Sequence, residues 1–242
     1  RPEGGPVDSG TIGIDLSPLD DVTSHQLMDW LMGDDSSLIP LKRKILAQSQ
    51  GNPLFMEELV QTLKETGYLE GQPGNYLAAK RTGRVEIPQT IHSVLAARID
   101  LLDGFPKSLL QTSAVIGTEI SVALLSEMLD VTPAEISGEL RTLEAADFLR
   151  KIRSTTSADY SFKHELTREV VYGTMLLGLR RSLHAKAVDI IESRFPDRLD
   201  EYIDRLADHA FKAELWEKAV PYQLRSCRRA VKRGANQDAI NI

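Results

Sequence analysis

Residues 160–172, YSFKHELTREVVY, begin with the pattern of a strand and end with the pattern of a helix. Tyr160 and Phe162 alternate with polar residues, which is typical of a half-buried strand. After them, apolar residues recur at helical spacing, at Leu166, Val170 and Leu177. The sequence therefore predicts that His164 lies where a strand ends and a helix begins.

Two interpretations of His164 follow from this position. The first turn of a helix has free N–H groups and a partial positive charge, so a histidine beside it can contact a bound anion such as a phosphate. A histidine can equally cap the helix or pack against its neighbours without any ligand. The residues alone leave both interpretations open.

A family resemblance favours the first interpretation. The pattern Phe162-x-His164-x-Leu166-x-x-Glu169-x-x-Tyr172 resembles the end of the winged-helix domain of STAND NTPases, the signal transduction ATPases with numerous domains. The resemblance implies that His164 is their phosphate-sensing histidine, called the MHD histidine in plant immune receptors, which contacts the β-phosphate of ADP. Lys163-His164-Glu165 matches that triplet at the histidine and the acidic residue, and differs at the first position.

The resemblance extends from about Ile12 to the C-terminus. It is strongest to ATPase regions linked to bacterial class III adenylate/guanylate cyclases, and large transcriptional regulators are also similar. The pattern Arg180-Arg181-x-x-His184 recurs in the family as a packing feature, so the resemblance implies no chemistry for it.

A second motif, Gly51-Asn52-Pro53-Leu54-Phe55, separates two predicted helices. Gly and Pro both interrupt a helix, so a structural role is expected in any case. The motif also resembles the Gly-x-Pro sensor of STAND NTPases, which implies that Pro53 packs on the adenine ring, with Gly51 and Asn52 beside it. The rigid, apolar ring of proline suits such a contact.

The apolar periodicity predicts a mainly α fold. The resemblance divides the chain into the end of an NTPase core with one short strand (residues 1–17), a helical lid with a connecting loop (18–88), a winged-helix domain with a β-hairpin wing (89–177) and TPR-like helical hairpins (178–242).

Within these segments we expect the first helix to be capped by Thr23 or Ser24, and a capping box at Thr132-Pro133-Ala134-Glu135. Residues 67–88 are expected to form a loop or an irregular hairpin, with strand pieces at 68–69 and 85–87.

Composition limits the classes of function. The 242 residues are 42% hydrophobic and 26% charged with a net charge of −6, which argues against a protein built mainly to hold nucleic acid. Cys227 is the single cysteine and no apolar run approaches the roughly 20 residues of a membrane span, so we expect a cytoplasmic protein without membrane contact. The five histidines show no metal-ligand spacing, so no metal site is predicted.

The sequence contains neither a phosphate-binding Gly-x-x-x-x-Gly-Lys-Ser/Thr loop nor an acidic Walker B strand. We therefore expect no catalytic residues and no cofactor in this chain alone, with ATP/ADP and Mg²⁺ bound only by a larger parent. Because the chain begins at Arg1 and ends at Ile242 within a predicted helix, we expect it to be a segment of such a parent.

The resemblance thus implies a regulatory segment of an ATP/ADP-switched signalling protein. The residues that would contact the adenine and the phosphate are Gly51, Asn52, Pro53 and His164. Its partners would be the NTPase core and effector domain of the same chain, a cyclase or a transcriptional regulator, and a protein or small-molecule signal bound by the repeats. Two alternatives are a winged-helix DNA-binding segment and a TPR-type scaffold. DNA binding is disfavoured because residues 133–148 carry four acidic side chains against Arg141 alone.

Overall fold

The computed structural model describes residues 17–79, 88–152 and 159–232. The fold is mainly α, as predicted, with small antiparallel sheets. The chain divides into two compact units, Arg1–Val94 and Leu95–Ile242. The strand predicted at 11–16, the strand piece at 85–87 and the wing turn at 154–158 lie outside the described residues. The domain boundaries predicted at residues 17, 88 and 177 stay predictions.

The described residues of the first unit form a helical bundle with a β-hairpin: α1 (Asp21–Met32), α2 (Ile39–Ser49), α3 (Pro53–Glu65), β1 (Leu69–Gln72) and β2 (Asn75–Ala78). A short 3-10 helix, Ser36–Leu38, precedes α2. The apolar faces of the helices form one core in which the largest fully buried side chains are Met28, Met32, Leu38, Ile45, Met56 and Leu59. The helix α4 (Ile91–Asp100) follows, and its Val94 belongs to this core.

The second unit begins with the helices and strands that the sequence predicts as a winged-helix domain. They are α5 (Gly104–Ile116), β3 (Glu119–Ile120), α6 (Val122–Leu129), α7 (Pro133–Ala145), β4 (Leu149–Lys151) and β5 (Tyr160–Phe162). The sheet order is β3-β5-β4, with both pairs antiparallel, so β4 and β5 form the predicted hairpin. The capping box of α7 is present as predicted, because Thr132 and Glu135 bond reciprocally.

The rest of the second unit is helical: α8 (Glu165–Thr174), α9 (Leu177–Arg194), a 3-10 segment (Pro196–Tyr202), α10 (Ile203–Lys212) and α11 (Trp216–Lys232). The helix α10 packs against both α9 and α11. Their shared core contains Val188, Ile191, Leu206, Ala210 and Ala219. Only three residues join α10 to α11, so the two helices form a helical hairpin.

The predicted N-cap of α1 was wrong. The helix α1 is capped by Asp20, whose carboxylate accepts a 2.7 Å hydrogen bond from the Thr23 N–H. This bond satisfies one of the free N–H groups of the first turn, so neither Thr23 nor Ser24 is the cap. Of the loop or irregular hairpin expected over residues 67–88, the described part forms a hairpin, in which β1 pairs with β2 across a tight turn at residues 73–74. The sequence analysis missed β3, because two residues are too few for an alternating pattern to show.

The long C-terminal helices are less buried than their apolar residues suggest. Leu179 on α9 is exposed, and on α11 the side chains of Trp216, Val220, Leu224 and Val231 are each 54% exposed. Ala219 of α11 is buried in the core that it shares with α9 and α10. Among the described residues, no helix combines the length and the apolar character needed to cross a membrane.

Candidate functional site

The motif Gly51-Asn52-Pro53 forms the turn between α2 and α3. Gly51 has a φ of +79°, and a Cβ atom there would lie 2.4 Å from the Leu19 carbonyl oxygen, so a larger residue does not fit. The Asn52 side chain caps α3 by accepting a 3.1 Å hydrogen bond from the Phe55 N–H. Both residues therefore have a complete structural explanation within the turn.

Pro53 differs from its two neighbours. It occupies the first position of α3, where its missing N–H costs no hydrogen bond. Its ring is exposed to solvent. The turn therefore holds a rigid, apolar ring at the surface of the first unit, in a form that can pack against a planar ligand.

His164 is the N-cap residue of α8 and follows β5 by two positions, so the predicted strand–helix junction is confirmed. Its backbone is extended, and its carbonyl accepts the first helical hydrogen bond from the Thr167 N–H at 3.1 Å. Its side chain is half-buried and makes no capping hydrogen bond to the helix. The imidazole is thus not used for capping, which removes one of the two structural roles considered from the sequence.

The charges around the junction are arranged in pairs. The Glu165 carboxylate accepts a 3.0 Å hydrogen bond from the Thr118 hydroxyl and a 2.6 Å bond from Arg168 Nε. The Arg168 hydrogen bond is the main reason that the pKa of Glu165 is lowered. Next to it, the Lys163 ammonium lies 3.3 Å from the Asp147 carboxylate. The negative charge of Glu165 at the start of α8 is therefore partly neutralised.

The predicted site residues are divided between the two units. Gly51, Asn52 and Pro53 lie together in one turn of the first unit, and His164 lies in the second. Each group is locally ordered for its own reason, a glycine turn in one case and a strand–helix junction in the other. Their predicted contact with one nucleotide stays a prediction.

The structure brings together three side chains that the sequence analysis did not connect. Tyr172 on α8, His184 on α9 and His209 on α10 form one hydrogen-bonded chain. The Tyr172 hydroxyl lies 2.9 Å from His184 Nε2, and His184 Nδ1 lies 2.7 Å from His209 Nδ1. The two histidines are 1% and 5% exposed, so the chain is inside the protein.

Burial keeps this histidine pair neutral. Burial lowers the pKa of His184 to about 3 and that of His209 to about 4, together with nearby positive charge, above all from His209 on His184 and from Lys212 on both rings. The Asp208 carboxylate acts in the opposite direction on both rings. In the neutral pair, the Nδ1–H of one ring donates a hydrogen bond to Nδ1 of the other. The Tyr172 hydroxyl donates to His184 Nε2 when His184 carries its hydrogen on Nδ1, and it accepts from Nε2–H in the other tautomer. The chain holds α8, α9 and α10 together without a net charge.

Two arginines beside the pair also bridge helices. The Arg180 guanidinium lies 4.8 Å from the centre of the Tyr172 ring and donates to the Met175 and Gly173 carbonyls at the end of α8. Arg181 forms an ion pair with Glu214 in the turn between α10 and α11. No local signal in the sequence shows these contacts, because His184 and His209 are 25 residues apart and meet only through the packing of their helices.

The surface of α7 bears on the DNA-binding alternative. Glu135, Glu139 and Glu144 are exposed or half-buried on this helix, and Arg141 is its single basic residue. A phosphate backbone would be repelled by this charge. Among the described residues, no group of three His, Cys, Asp or Glu side chains could hold a metal ion.

Comparisons with known proteins add one finding. The chain is 27% identical over 194 residues to an uncharacterized protein of Rhizobium meliloti strain 1021. The match covers 79% of this chain and 18% of the relative, so the relative is much the longer of the two. No family model matches the chain.

Proposed function

We propose that this chain is a regulatory segment of a multidomain, ATP/ADP-switched signalling protein of the STAND type, with a nucleotide cyclase as its output. The observation that carries the proposal is the position of His164, at the N-cap of α8 directly after the wing hairpin, with an imidazole that does not cap the helix. The partial charge of the helix N-terminus and this ring can together contact one phosphate group.

Three further observations support the proposal. Arg168 neutralises Glu165 beside His164, which lowers the electrostatic cost of a nearby phosphate. Pro53 presents the exposed ring that an adenine contact requires. The hairpin of α10 and α11 has the form of one unit of a helical repeat, which suits a segment that receives a protein or small-molecule signal.

The proposed switch works through a difference in affinity between two states. In the closed state, His164 contacts the β-phosphate of ADP, and Pro53 with Gly51 and Asn52 lines the adenine side. Exchange for ATP loses the His164 contact and favours the open state. The sequence contains no phosphate-binding loop, so the other phosphate contacts, Mg²⁺ binding, hydrolysis and the output belong to the rest of the larger protein.

The test uses the full-length protein and the variant His164→Ala. A charge-assisted hydrogen bond to phosphate contributes roughly 1.5–3 kcal/mol, so ADP should dissociate about ten to a hundred times faster and basal output should rise. Stopped-flow release of a fluorescent ADP analogue measures the rate.

The matched control is His92→Ala, which removes an exposed histidine from α4 and should leave the rate unchanged. An ADP release rate equal to that of the wild type, in a His164→Ala protein with an unchanged circular dichroism spectrum, would exclude the phosphate-sensing role.

A further inference from the structure

The second unit contains a cleft of about 400 Å³ that has no part in the proposed nucleotide site. Its walls come from the start of α6, the end of α9, the 3-10 segment and α10. We call it the arginine cleft and define it by the polar side chains that line it: Ser121, Asp159, Arg194, Arg198, Tyr202 and Arg205. Its volume is in the range of small-molecule sites.

A stacked pair of aromatic rings forms part of the cleft wall, and one of these rings contacts Arg194. The rings of Phe195 and Tyr202 stack with centres 4.4 Å apart and planes 15° from parallel. The Arg194 guanidinium lies 5.6 Å from the centre of the Phe195 ring. The 3-10 segment between the two aromatic residues carries Arg198. This stack restricts the freedom of the wall, so less entropy is lost when a ligand binds.

The cleft has many more hydrogen-bond donors than its neighbours use. A guanidinium has five N–H groups. Arg194 donates one hydrogen bond to Glu127, and Arg198 donates two to Glu201, of which the Nε bond is 2.9 Å. No hydrogen bond or ion pair joins the Arg205 guanidinium to another side chain or carbonyl in the described ranges. Most N–H groups of the three arginines are therefore left to solvent or a ligand.

The acceptors at the cleft are few. Asp159 is the single carboxylate among the lining residues, and its Oδ2 accepts a 2.8 Å hydrogen bond from the Val122 N–H. Ser121 is the N-cap residue of α6, but its side chain makes no capping hydrogen bond, so its hydroxyl is another donor at the cleft. The ion pairs to Glu127 and Glu201 are solvent-exposed, and exposed pairs contribute little, so a ligand can replace them at small cost.

We propose that the arginine cleft binds a small oxyanion with at least two negative charges, a phosphate ester or a polycarboxylate. Guanidinium groups bind both by paired, parallel N–H bonds, and three of them converge with one hydroxyl donor. Arg205 is the residue that gains most from the ligand, because it lacks an ion-pair partner among the described residues. The inference rests on the cleft alone and does not depend on the STAND proposal.

Titration calorimetry of this chain with two probes, inorganic pyrophosphate and citrate, tests the proposal. The wild type should bind at least one probe saturably, and a higher salt concentration should weaken the binding. Saturable binding of pyrophosphate alone identifies a phosphate site, of citrate alone a carboxylate site, and of both a general oxyanion site. Absence of saturable binding to both probes would overturn the proposal.

Two variants locate the binding. Arg205→Gln removes one charge from an exposed position, so it should fold normally and weaken binding roughly tenfold or more. The matched control Arg141→Gln removes an exposed arginine from α7 in the same unit and should change the affinity by less than about twofold. Equal losses in both variants would show general charge attraction and reject the cleft as the site.

Discussion

Two histidine environments in the second unit differ in almost every physical respect. His164 is half-buried at a strand–helix junction, with Glu165, Arg168 and Lys163 beside it in ion pairs. His184 and His209 are buried among three helices and bond to each other. The same side chain is thus half-buried at a helix N-terminus in one region and part of an internal hydrogen-bonded chain in the other.

Burial decides which role each histidine can have. Desolvation disfavours a charged imidazole, so the buried pair stays neutral and can contribute only hydrogen bonds and packing. The half-buried imidazole of His164 lies beside the positive partial charge of a helix N-terminus. We therefore expect stability to depend on the buried pair and ligand binding to depend on the junction.

The largest expected effect is the loss of stability in acid. Both histidines have a lowered pKa when folded, about 3 and about 4, against an ordinary value of 6.5. Below pH 6.5 the two histidines are therefore protonated in the unfolded state and stay neutral in the folded state, until the pH approaches their lowered pKa values. The free energy of unfolding should fall by about 1.4 kcal/mol per pH unit for each histidine, or roughly 3 kcal/mol for His209 by pH 4. Above pH 6.5 the free energy of unfolding should not change with the protonation of this pair.

Urea denaturation across this pH range measures the effect. The control is the double variant His184→Leu, His209→Leu, which keeps all carboxylates. In this variant, the slope of the free energy of unfolding against pH should lose only the contribution of the two histidines. NMR titration of the ring protons gives a second measurement in the wild type, and observation of an ordinary pKa for both rings would contradict the prediction.

The next largest effect is that of His209→Ala at neutral pH. The change removes a buried ring and leaves His184 Nδ1 without its 2.7 Å partner. We expect a loss of roughly 2–4 kcal/mol in the free energy of unfolding. The control Arg205→Ala lies on the exposed face of the same helix and should change it by less than about 0.5 kcal/mol. Equal values for the two variants would end the distinction between the buried pair and the surface.

The smallest expected effect on stability is that of His164→Ala. Its ring is half-buried and does not cap α8, so we expect a change below about 1 kcal/mol in the same urea measurement. A loss as large as that of His209→Ala would show that His164 is a packing residue. The two histidine environments would then be alike in role.

The sequence by itself determined the features that depend on neighbouring residues. The alternation at Tyr160 and Phe162 followed by helical spacing located the junction at His164, because strand and helix periods are local properties. The spacing of Thr132 and Glu135 predicted the capping box for the same reason. The mainly α fold followed from apolar periodicity, while the family, the nucleotide contacts and the output are proposals that begin from a resemblance.

Only the tertiary structure decided what meets across helices. The bond between His184 and His209, the buried Arg98 against the Phe148 ring and the Ala146 carbonyl, and the exposure of Trp216 and Val220 all depend on which helices pack together. Helical periodicity shows that a helix has an apolar face, but it does not identify the partner of that face. Polar side chains in a core are stable only where they have hydrogen-bond partners, and where the partner belongs to another helix, packing determines it.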